Sequence, residues 1–77
     1  MANVSSERGY QVVAAEQLGR EAHAAGINSA PALDQRVIAM LAGRKVGETP
    51  DGSATTAEIL KAWSAGWHWA NLEAGAA

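Results

Sequence analysis

His23 and His68 are the two histidines of this 77-residue chain, which contains no cysteine. A metal site needs three or four converging ligands. The two imidazoles fall on different predicted helices, with no Asp or Glu at ligand spacing, so no metal site is expected. Ser64 lies one helical turn before His68, the spacing at which a hydroxyl and an imidazole can meet. Nucleophilic catalysis also requires a third group to orient the imidazole, and none is in place. Glu16 and Glu21 lack the like-charge or apolar surroundings that would raise a pKa for acid–base work. Gly43-Arg44-Lys45-Val46-Gly47 sets a basic pair between glycines that would let backbone approach phosphate. It lacks the Gly-x-x-x-x-Gly-Lys-Ser/Thr pattern of a phosphate-binding loop. The residues read as those of a non-enzymatic protein with no cofactor.

The tryptophans carry more information. Trp63, Trp67 and Trp69 crowd into one stretch, and Tyr10 is the only other aromatic residue. At about 100° per residue, Trp63 and Trp67 share a helix face with Ile59 and Ala70. Trp69 points roughly 160° away from Trp67. One thin core cannot easily bury both. Trp69 with Ala62, Ala65 and Leu72 makes a second apolar strip, either packed under another helix or left as a surface for a protein partner or for self-association.

These side chains must be positioned by helices, because no strand-like alternation of useful length occurs. A first helix is expected from Ser6 or Arg8 to Ala25, with Tyr10, Ala14, Leu18, Ala22 and Ala25 as its apolar stripe. Glu16 and Arg20 are spaced for an i,i+4 ion pair. Gly26 supplies the left-handed residue that stops the helix. Pro31 keeps Ala30 extended, and Asp34 is a good N-cap for a short helix ending at Gly43 and turning Leu33, Val37, Ile38 and Leu41 inward. Thr55 and Glu58 form a capping box for a third helix reaching about Leu72. The intervening segment, 43–54, is expected to be a mobile loop, and 1–6 and 74–77 are expected to fray. The reading is a single all-α domain over 1–77: two longer helices packed as an antiparallel pair, and a short middle helix capping the tryptophan face.

Nearly half the residues are hydrophobic (48%), but about half of these are alanine, so the core must rest on Leu18, Ile38, Leu41, Ile59, Leu60 and the tryptophans. A formal charge of −2 argues against a strongly basic nucleic-acid binder, although clustered cations matter more than net charge. No stretch approaches the roughly 20 apolar residues of a membrane span. A cytoplasmic protein is the default expectation.

The run Gly19-x-x-Ala22-x-x-x-Gly26, then Pro31, then Trp63-x-x-Gly66-Trp67-x-x-Ala70, resembles the bacterial ribosome modulation factor family. The resemblance covers the two terminal helices, about half the chain. It implies a short helical protein that binds the small ribosomal subunit and regulates translation, with Arg20, Arg36, Arg44, Lys45 and Lys61 contacting rRNA phosphate. The chain departs from the family in three ways. It has Ala30-Pro31-Ala32 where the family has an aromatic after the proline, it is mildly acidic where the family is basic, and its central segment is longer. The alternative is a protein-binding module, an inhibitor or accessory subunit, that uses the strip of Trp69, Ala62, Ala65 and Leu72.

Overall fold

A computed structural model describes residues 4–42 and 52–75. Among them the chain is all-α: α1 spans Val4–Ala24, a 3-10 turn covers Pro31–Leu33, α2 spans Gln35–Leu41 and α3 spans Thr56–Gly75. The local stop and start signals act as their chemistry dictates. Gly26 takes φ +79°, and the Ile27 and Gly26 N–H groups donate to the Ala22 and His23 carbonyls, closing α1 with a double-bonded C-cap. The Asp34 side chain accepts from the Arg36 N–H at 2.9 Å and caps α2. At the start of α3 the Thr55 N–H donates to Glu58 Oε1 at 2.8 Å, and the Glu58 N–H donates to Thr55 Oγ1 at 3.0 Å.

The long helices α1 and α3 pack on one another, but they run parallel. Arg8 pairs with Glu58 and Gln11 Oε1 accepts from the Ala54 N–H at one end. Arg20 pairs with Glu73 and His23 meets Asn71 at the other. Beginnings therefore meet beginnings, in place of the expected antiparallel pairing. The cause is topological. The described stretch from Ile27 to Ala42 runs back along the pair, meeting Trp67 first, then Trp63, then Leu60, and the third helix starts beside the start of the first.

Small residues set the contact. Ala15, Gly19 and Ala22 of α1 meet Ile59, Ala62, Trp63 and Gly66 of α3, and all are buried. A Cβ on Gly19 would overlap the carbonyl oxygen of Trp63, and one on Gly66 would overlap the carbonyl oxygen of Glu16. Each glycine thus presents its Cα hydrogens to a carbonyl of the other helix, a close-packed geometry that side chains would prevent. This rotates α1 away from the expected stripe. Tyr10 is 68% exposed on the far side, because fit to the α3 backbone, and not side-chain bulk, chooses the face. The expected core also shifts. Ile59, Val37, Ala54 and Trp63 are buried, Leu18, Leu41, Leu60 and Trp67 are partly so, and Leu33 and Ile38 are exposed.

Alanine at Gly19 or Gly66 is expected to lower stability by about 2–3 kcal/mol, because the helices must separate. Alanine at Gly9, with open space where its Cβ would lie, is expected to raise it by about 0.5–1 kcal/mol through helix propensity. Thermal melts of the three variants check the opposite signs.

Candidate functional site

The most organised polar cluster lies where α2 meets the helix pair. Trp63 is wholly buried, and its indole N–H needs an acceptor there. Asp34 Oδ2 accepts it at 2.8 Å. Asp34 itself is only 2% exposed and is held by Arg36, whose Nε donates to Oδ1 and Nη2 to Oδ2, both at 3.2 Å. The same guanidinium reaches α1, donating to Glu21 at 2.7 Å and to the Leu18 carbonyl at 3.2 Å. Burial alone would push the Asp34 carboxyl up. The Arg36 side chain, the Trp63 indole and the Arg36 backbone N–H together outweigh it, and the carboxyl sits below its ordinary value. Every bonding position of this carboxylate is engaged by Arg36 and Trp63 in holding the fold.

A second anchor lies one turn further along α3. The Trp67 indole donates to the Ile27 carbonyl at 2.7 Å. Both histidines pack edge-on against this indole, His23 with its ring centre at 4.9 Å and His68 at 5.3 Å. His23 Nε2 lies 3.2 Å from Asn71 Oδ1. The imidazoles thus converge on an aromatic ring and not on a metal ligand set. Among the described residues no group of three or more His, Asp or Glu could hold a metal ion, and no hydrogen bond joins Ser64 to His68.

The five cations considered for RNA divide unevenly. Arg20 pairs with Glu73 across the helices at 2.8 Å, in place of the expected Glu16. Arg36 is bound to Asp34 and Glu21. Lys61 is exposed and has no carboxylate partner among the described residues. Arg44 and Lys45 lie outside the described residues, as does most of the expected loop. No cluster of free cations forms among Arg20, Arg36 and Lys61.

The apolar strip also divides. Ala62 belongs to the core, since its face turns toward α1. Ala65 is exposed, Trp69 is 55% exposed and Leu72 is 64% exposed. The middle helix does not cover Trp69, because α2 packs on the opposite side of the pair, against Trp63, Leu60 and Leu18. The role of Asp34 as acceptor for Trp63 was absent from the sequence reading. A buried tryptophan's need for a partner was the available signal. Among the described residues no helix is long and apolar enough to cross a membrane. No family model, no curated protein and no solved structure matches the chain.

Asp34→Ala, which strands the Trp63 indole and Arg36, is expected to cost about 3 kcal/mol. The lowered carboxyl makes a contribution present above the unfolded pKa of about 3.9 and lost as pH falls through the folded value. Melting temperature should therefore hold from pH 7 to about 5 and fall below about 4. Asp34→Asn should flatten that fall in part, the remainder coming from Glu58, which the Thr55 N–H and Arg8 also hold low. Melts at stepped pH check both.

Proposed function

We propose that the protein is a small non-enzymatic binding protein of the ribosome modulation factor type, which regulates translation by docking on the small ribosomal subunit. One observation supports this reading above the rest. Half of the residues that carry the resemblance, Gly19, Ala22, Trp63 and Gly66, build the helix crossing. Gly19 and Gly66 form the contact, Ala22 and Trp63 are buried at it, Trp67 is anchored beside it, and Gly26 ends α1. A shared motif that coincides with the packing determinants is what a shared scaffold would leave. The Arg20–Glu73 pair is surface-exposed and worth at most about 1 kcal/mol, so a phosphate can replace the carboxylate. Arg36 is fixed in the fold, leaving Arg20, Arg44, Lys45 and Lys61 as the phosphate contacts.

A specific observation favours a second reading, a protein-docking module: the exposed row of Ala65, Trp69 and Leu72 on α3. Aromatic anchors of this kind dominate protein interfaces.

Sedimentation of the purified protein with ribosomes through sucrose separates the two. The ribosome reading expects co-migration with the small subunit that fades as salt rises, with a log–log slope no steeper than about −4 for four phosphate contacts. It also expects loss of binding when Arg44 and Lys45 are both changed to Glu. Absence from every ribosomal fraction at low salt would overturn it. The protein-docking reading expects partner capture that resists salt and is lost in Trp69→Ala.

A further inference from the structure

We propose that the face of the α1–α3 pair turned away from α2 is a self-complementary interface, and that its occupant is a second copy of this chain. This rests on the protein-docking reading of the Trp69 strip and names its partner. α2 occupies one side of the helix pair, at Leu18, Leu60 and Trp63. The other side carries a shallow depression of about 340 Å³ between the helices, lined by Val12 and Glu16 of α1 and by Glu58, Lys61, Ala62 and Ala65 of α3. Trp69 and Leu72 continue the row of Ala65 at i+4 and i+7, both exposed.

Charge and area select the occupant. Arg8, Arg20 and Arg36 each have a carboxylate within the chain. Glu16 and Lys61 line the same depression, have opposite signs and have no ion partner among the described residues. A two-fold interface sets residue i against j of the partner and j against i. An axis running along the groove lays α1 of one copy on α3 of the other. Glu16 then meets Lys61 of the partner twice, while Trp69 and Leu72 leave water. The face is made by two helices of 21 and 20 residues, each about 30 Å long and about 10 Å across, so a two-fold contact covers on the order of 600 Å² per partner, the lower end of the range for specific interfaces. A core made largely of alanine gives this small domain a physical reason to associate.

Sedimentation equilibrium of the full chain over a range of concentrations tests the proposal, with circular dichroism confirming that each variant stays helical. The wild type is expected to reach twice the chain mass of 8.0 kDa. Glu16→Lys alone and Lys61→Glu alone each oppose like charges at both contacts, and should raise the dimer dissociation constant on the order of 30-fold. Mixing these two variants, or combining both changes in one chain, should restore association. Trp69→Ala should weaken it at least about tenfold. A wild type that stays monomeric at all concentrations overturns the proposal, as does a folded charge-swapped pair that fails to recover. Either result leaves ribosome co-sedimentation to be read separately.

Discussion

The close crossing of α1 and α3 at Gly19 and Gly66 is the constraint on which the remaining structure depends. With no side chain at either position, each backbone approaches the other until a glycine Cα faces a carbonyl. The alanines before and after, Ala15 and Ala22 on one helix and Ala62 on the other, continue the seam at helical spacing. A helix pair this close buries little volume between its axes. The larger side chains must then be accommodated beside the crossing, and Trp63 and Trp67 fill the side on which the connecting segment lies.

That displacement explains the polar anchors. An indole packed beside a crossing still carries an N–H, and the segment that covers it must bring an acceptor. Asp34 does so for Trp63 while capping α2, and the Ile27 carbonyl does so for Trp67 just past the end of α1. Arg36 closes the arrangement by tying the buried carboxylate to α1 through Glu21 and the Leu18 carbonyl. A short helix with one buried residue, Val37, and Met40 and Leu41 partly buried beside it is therefore held by directional bonds as well as by packing. Leu33 of the preceding 3-10 turn and Ile38 can stay at the surface without loosening it.

How far the sequence could be read follows the range of each interaction. The positive-φ Gly26, the Asp34 cap and the Thr55–Glu58 box are closed within a few residues, and all three were legible. So was the divergence of Trp69 from Trp67 on the helical wheel. The direction of the helix pair was not, because the path of residues 27–42 back along the pair leaves no local mark. The face of α1 was misread for a related reason: a stripe weighted by bulk points to Tyr10 and Leu18, whereas the seam is chosen by the absence of bulk. Among the candidate site residues, Arg36 pairs with Asp34 two residues before it, but Glu73 for Arg20 and Glu21 for Arg36 are partners on other elements. Spacing along the chain could not disclose them.

The parallel arrangement has a consequence for how the chain reaches its native state. The ties between the long helices join residues 50 apart at Arg8–Glu58 and 53 apart at Arg20–Glu73. Helical proteins usually fold fast because their contacts are local, and speed declines as contacting residues lie further apart in sequence. Here Arg8 meets Glu58 only after about fifty residues of chain entropy have been closed off. The domain is helical in composition but long-range in topology, and its search for the native pairing is closer to that of a β-protein than of an ordinary helical bundle.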